Sequence, residues 1–128
     1  MSYKPIKIAK SNTGTFIGVE IRTLDSHFVL SLKDEPRKYT FTEALEKFKD
    51  SLPTRKQAAI IAAYFDDIKN VLIEINGKPL TRAIWTREYF QLENAWILTA
   101  PYGALYPCVL FAKCNVRKII NNNSYEPK

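Results

Sequence analysis

The sequence predicts an α+β domain in which two helices pack on an antiparallel sheet, and three observations lead there. Thr40 with Glu43 and Thr54 with Gln57 repeat one helix-start pattern, each followed by apolar residues at helical spacing. Residues 15–22 and 27–32 before the helices, and 83–86, 95–100 and 105–120 after them, are rich in branched and aromatic side chains of strand character. A chain of 128 residues can bury one core but is too short for two independent ones.

In chain order, residues 1–14 read as an N-terminal extension, 15–120 as the domain and 121–128 as a disordered polar tail. Phe16, Ile17, Val19 and Ile21 mix branched and aromatic side chains with polar partners, and Thr23-Leu24-Asp25-Ser26 is turn-prone, so 15–22 and 27–32 read as a hairpin. Pro36 then breaks the sheet. The first helix carries Phe41, Ala44, Leu45 and Phe48 on one stripe. Pro53 separates it from a second helix with Ala58, Ile61, Ala62, Phe65 and Ile68 on its inner face. Asp66-Asp67 marks a break in that helix, and Asn76-Gly77 offers it a left-handed cap.

Composition limits the function. Hydrophobic residues at 46% and charged residues at 25% fit a globular domain, and no run of about 18 apolar residues could cross a bilayer, so no membrane span is expected. Residues 1–10 lack the apolar stretch of a secretory signal. The expectation is a cytoplasmic protein, or one exported without such a signal, for example in a virion. The net charge of +6 raises nucleic acid as a partner, but the 19 basic residues are scattered and often adjoin acids, as in Lys33-Asp34-Glu35. That distribution favours a solvated surface over nucleic acid. Cys108 and Cys114 cannot supply a disulfide framework. On one continuous strand they would lie about 20 Å apart, whereas a turn between them would reopen pairing.

Several segments resemble the Fibrobacter major paralogous domain family. Tyr39-Thr40-Phe41-Thr42-Glu43-Ala44 is similar to its first helix start, and Leu52-Pro53-Thr54 to the motif before its central helix. Asn76-Gly77-Lys78-Pro79-Leu80 looks like the segment that closes that helix. Ile84-Trp85-Thr86-Arg87-Glu88-Tyr89 followed by Asn94-Ala95-Trp96 resembles its most specific signature, with Arg87 in place of a small hydroxyl residue, and Asn115-Val116-Arg117-Lys118-Ile119 its terminal strand. The resemblance covers roughly residues 15–120. It implies a C-type-lectin-like fold, two helices beside a twisted antiparallel sheet with irregular loops, in a module built to bind rather than to catalyse.

The loops between Leu80 and Lys113 are the expected contact surface, for a glycan or a protein surface, with Arg82, Arg87, Tyr89, Tyr102 and Tyr106 as the leading contact residues. Tyrosine offers large area with a polar tip at low entropic cost, although partial burial alone would also account for these positions. Trp85 and Trp96 sit in apolar strand contexts that predict core packing over sugar stacking. Glu88, Glu93 and Asn94 are too few for a lectin-type calcium set, so no metal or cofactor is expected. His27, the sole histidine, joins no nucleophile or metal motif, and Asp66 and Asp67 face different directions on a helix. No enzymatic activity is expected. The rival reading is a basic nucleic-acid-binding or structural accessory protein.

Overall fold

Two antiparallel sheets and three α-helices make up the fold in a computed structural model that describes residues 4–80, 83–99 and 104–120. The first sheet has the order β1 (Ile6–Lys10), β2 (Phe16–Arg22), β3 (His27–Ser31) and β7 (Ile119–Ile120). The second contains β4 (Ile84–Gln91), β5 (Asn94–Thr99) and β6 (Ala104–Val109) in sequence order. Between β3 and β4 come α1 (Phe41–Phe48), a 3₁₀ turn (Lys49–Ser51), α2 (Arg55–Ala63) and α3 (Phe65–Glu74). The chain is therefore α+β, and the β2–β3 hairpin falls within a residue of where the sequence puts it.

Both helix starts are closed by the groups read from the sequence. Thr40 Oγ1 accepts from Glu43 N at 3.3 Å and Glu43 Oε1 from Thr40 N at 3.0 Å. In α2, Thr54 Oγ1 accepts from Gln57 N at 3.0 Å and Gln57 Oε1 from Thr54 N at 2.9 Å. The second helix breaks at Tyr64, whose ψ of 27° leaves helical geometry, two residues before the Asp pair. Asp66 and Asp67 thus fall in the first turn of α3, where the helix dipole favours negative charge. At its far end Gly77 N donates to Leu72 O at 2.8 Å and Asn76 N to Ile73 O at 3.2 Å, with Asn76 at φ 59°. The left-handed residue is the asparagine. Gly77 sits in a tight place instead, since a Cβ there would stand 2.8 Å from Leu72 Cδ2 and 3.1 Å from Leu32 O.

The second sheet divides the apolar interior. Ile84 and Leu98 join Val19, Leu30, Ile61 and Ile68 between the first sheet and α2–α3. Trp85, Ala95 and Ile97 turn the opposite way, toward Phe41, Phe48 and Leu52. Each face of the sheet is thereby covered by a different helix layer.

Two segments depart from the sequence reading. Ile6–Lys10, placed in an extension, is a strand paired along β2 with Ile6 and Ala9 buried. Residues 105–120 are not continuous strand: Ala112 N donates to Val109 O at 3.2 Å in a turn, and the chain then doubles back. That turn brings Cys108 Sγ and Cys114 Sγ to 4.0 Å, both as free thiols. Beyond it the chain runs as a seam between the sheets. Cys114 bridges Tyr39, Asn115 bridges Ile84, Val116 O accepts from Glu35 N at 2.7 Å, and Lys118 O from Ser31 N at 3.0 Å. The polar tail, 121–128, lies outside the described residues.

Arg117 is the seam's buried charge. Its fully covered guanidinium donates through Nε to Asp34 Oδ1 at 2.9 Å and through Nη2 to Pro79 O at 3.3 Å. Burial pushes its pKa down and Asp34 pulls it back up. Asp34→Ala would strand that charge and is expected to cost about 3 kcal/mol in a urea melt. An unchanged midpoint would mean that the pair carries no such weight.

The capping boxes differ in one respect that acid should expose. The Thr40 backbone N–H, with smaller contributions from the Thr40 hydroxyl, Lys113 and Arg37, holds the Glu43 carboxyl below its ordinary pKa. Stability from a lowered carboxyl is complete above the unfolded value of about 4.3 and is lost as pH falls through the lower folded value. Gln57 does not titrate. Below about pH 4, amide protection relative to the unfolded chain should therefore fall at the start of α1 before it falls at the start of α2. An equal fall at both would count against this account.

Candidate functional site

The segment that carries the most specific sequence signature is a bulged strand. Trp85 pairs with Ile97 but Tyr89 pairs with Ala95, so β4 holds two more residues than β5 across this stretch. The extra residues turn their polar groups away from β5 and onto the connection between α1 and α2. Arg87 N donates to Pro53 O at 2.9 Å, and its guanidinium donates to Leu52 O at 3.2 Å and Asp50 O at 3.3 Å. Glu88 Oε2 accepts from Arg55 N at 2.7 Å, placing a carboxylate at the N-terminus of α2. Thr86 Oγ1 donates to Trp96 O at 2.9 Å, and Trp85 Nε1 to Tyr39 O at 2.7 Å.

Above this anchored stretch the strand becomes apolar and exposed. Tyr89 meets Phe41 edge-on at 4.9 Å yet remains 56% exposed, and Phe90 meets Trp96 edge-on at 4.8 Å. Leu92, at the tip of the β4–β5 hairpin, is 93% exposed. The turn after β6 stands beside that tip, because Leu110 N donates to Glu93 O at 3.1 Å and Phe41 N donates to Leu110 O at 3.1 Å. Phe111 on this turn is 82% exposed. A hollow of about 320 Å³ lies between Thr40, Thr42, Glu93, Leu110 and Phe111. A second, of about 560 Å³, is lined by Gln91, Leu92, Glu93 and Asn94.

Of the contact residues expected from sequence, Tyr89 and Tyr106 are both solvent-facing, Tyr106 on the edge strand β6. Arg87 is half-buried, with its guanidinium engaged by Leu52 O and Asp50 O. It lines a cleft of about 360 Å³ with His27, Asp50, Ser51 and Gln57. Arg82 and Tyr102 lie outside the described residues. The sequence reading passed over Leu92; the segment Cys108-Val109-Leu110-Phe111-Ala112 reads as more apolar than the hairpin usual in the resembled family, open to a surface contact or a repacked loop, without Val109 or Phe111 among the leading contact residues. For Leu92 the available signal was an apolar residue placed between the polar residues Gln91 and Glu93 in a two-residue turn.

The two indoles differ. Trp85 is fully buried, whereas Trp96 is half-buried, with the Arg55 guanidinium 4.9 Å from its ring centre. His27 Nε2 lies 2.6 Å from Glu20 Oε2. Among the described residues, no group of three or more His, Cys, Asp or Glu side chains is gathered to hold a metal ion, and no helix is long and apolar enough to cross a membrane. No protein-family model matches the chain, and no curated protein matches its sequence.

Glu88→Ala is expected to lower stability by about 1–2 kcal/mol in chemical denaturation, through loss of the carboxylate at the start of α2. A midpoint equal to wild type would show that Arg55 N is satisfied equally well by water.

Proposed function

We propose that this protein is a non-enzymatic binding module of C-type-lectin-like fold that docks a protein partner on the β4–β5 hairpin tip and the turn after β6. The observation that carries the reading is the concentration of exposed apolar side chains there. Tyr89, Phe90, Leu92, Tyr106, Val109 and Phe111 all fall within residues 84–111, whereas elsewhere among the described residues Phe16, Leu24 and Ile73 are separated along the chain. Exposed apolar side chains grouped on two adjoining turns favour an interaction site, and aromatic residues lead the energetics of protein interfaces. Leu92 and Val109 bury area without offering the planar face that a sugar ring stacks on, which favours a protein over a glycan. The lectin-like reading is supported by the order of the capped helices, the buried Trp85, and a terminal strand beside the β2–β3 hairpin.

A second reading, a face for polyanions, rests on cations around one aromatic pair. Arg37 and Lys47 stand 4.7 and 5.7 Å from the Tyr39 ring centre, and Lys118 stands 6.0 Å from that of Phe48. Lys118 also pairs with Glu35 at 3.6 Å, and Glu43 lies in the field of Arg37 and Lys113, so the face is partly neutralised.

One experiment separates the readings. The immobilised chain is crosslinked to proteins of its native source beside a Leu92→Ala, Phe111→Ala double variant. Both side chains are exposed, so the variant should melt within about 2 °C of wild type. Capture should fall at least about tenfold in the variant and change little between about 50 and 200 mM salt. Equal capture by the variant would overturn the proposal. Capture that collapses with salt would transfer the function to the cationic face, and a glycan-array signal lost in the variant would make the ligand a sugar.

A further inference from the structure

The turn that carries Phe111 is flanked by two thiols. Cys108 is half-buried on β6, an edge strand, in register with Ala95. Cys114 is 6% exposed, and its backbone is fixed by two bonds, Cys114 N to Tyr39 O at 2.8 Å and Tyr39 N to Cys114 O at 2.9 Å. Their sulfurs stand 4.0 Å apart, about 2 Å beyond covalent distance. Rotation about the Cα–Cβ bond displaces Sγ on that scale, so a gap of this size is within the reach of side-chain motion. Cys108 differs from Cys114 in one further way: it is the thiol that solvent reaches.

We infer that Cys108 and Cys114 form a reversible dithiol site, oxidised by small disulfides of the glutathione class to an intramolecular disulfide that tightens the turn bearing Phe111. The exchange balances without any other oxidant. The Cys108 thiolate attacks one sulfur of oxidised glutathione; that S–S bond breaks, and one glutathione leaves as thiolate and takes a proton from water. The Cys114 thiol loses its proton to solvent, and its sulfur attacks Cys108 Sγ in the mixed disulfide. The second glutathione then leaves as thiolate and is protonated. Two protein thiols are oxidised by two electrons, and one disulfide is reduced to two thiols.

Burial, reinforced by the neighbouring Cys108, pushes the Cys114 thiol up to about 12. That makes Cys114 the resolving rather than the attacking thiol. Its low thiolate fraction is offset by proximity, because the second step is intramolecular across a preformed gap. Ring closure should accelerate as pH rises.

The test uses the full reduced chain, excess oxidised glutathione, alkylation of remaining thiols and intact mass. Wild type should lose both alkylatable thiols together and retain no glutathione, and reduced glutathione in excess should restore them. Cys114→Ala should keep one glutathione on Cys108, and Cys108→Ala should remain unmodified. The oxidised wild type should melt about 5–10 °C higher, as expected for closing a short loop, with slower amide exchange in residues 110–113. A lasting mixed disulfide on wild type, or two thiols still alkylatable at the end, would overturn the inference. These two mass readings need no variant and therefore stand even if a cysteine substitution unfolds the chain. They are also independent of whether the Phe111 surface binds a protein.

Discussion

The bulge in β4 is the constraint on which the rest of the structure depends. In a regular strand the residues between Trp85 and Tyr89 would stay in register with β5. Here two extra residues bulge out, so that the Arg87 amide reaches Pro53 O, its guanidinium reaches Leu52 O and Asp50 O, and the Glu88 carboxylate accepts from Arg55 N, together engaging the whole connection between the first two helices. That connection fixes where α2 begins, and so which of its residues, Ala58 and Ile61, face the larger core. It also fixes Leu52 against Trp85 in the smaller one. Buried backbone carbonyls need donors, and this helix connection takes its donors from an arginine and a strand amide distant in sequence.

How much of this was legible follows from the range of each interaction. The capping boxes at Thr40 and Thr54 and the closure of α3 at Asn76 are made within a few residues, so residue type and spacing announce them. The seam at 114–120 is not of that kind. Its partners are Tyr39, Glu35 and Ser31, and its run of branched residues imitates one long strand. β1 was passed over because Ile6, Ile8 and Ala9 sit between lysines, a pattern that only pairing with β2 turns into a sheet. At the candidate site the tyrosines were readable as amphipathic side chains. Arg87 was read as a contact residue because its acceptors are backbone carbonyls, which leave no trace in residue type. Leu92 was overlooked because turns are read for their polar residues, and the apolar segment around Phe111 stayed open between surface contact and repacked loop because an apolar side chain in a turn gains significance only from its exposure.

The seam also ties the two sheets to each other. It bonds β3, β4 and the segment between β3 and α1, and Arg117 fixes its depth by pairing with Asp34 and reaching Pro79. The Arg117 Nη1 has no hydrogen-bond partner among the described residues. A buried, incompletely bonded guanidinium contributes little net stability, yet it penalises every register of the seam that would strand the charge. Shifting the seam by one residue would move Arg117 away from Asp34 and Val116 out of the smaller core together. The Cys114 bridge to Tyr39 lies on the same run of chain, so the position of the second thiol is set by this register as well.

Anchoring and exposure then follow each other along one strand. Trp85 to Glu88 are held by the scaffold, and Tyr89 to Leu92, next along the chain, stand in solvent. A contact surface built this way has most of its backbone ordering completed before a partner arrives, which lowers the entropic cost of association. The two halves of the strand consequently fail in different ways. Changes at 85–88 act through the helix connection and lower stability along with any binding, whereas changes at 89–92 remove contact area from a scaffold that stays folded. The physical boundary between support and surface is Tyr89, one edge of whose ring is packed on Phe41 while the remainder is offered outward.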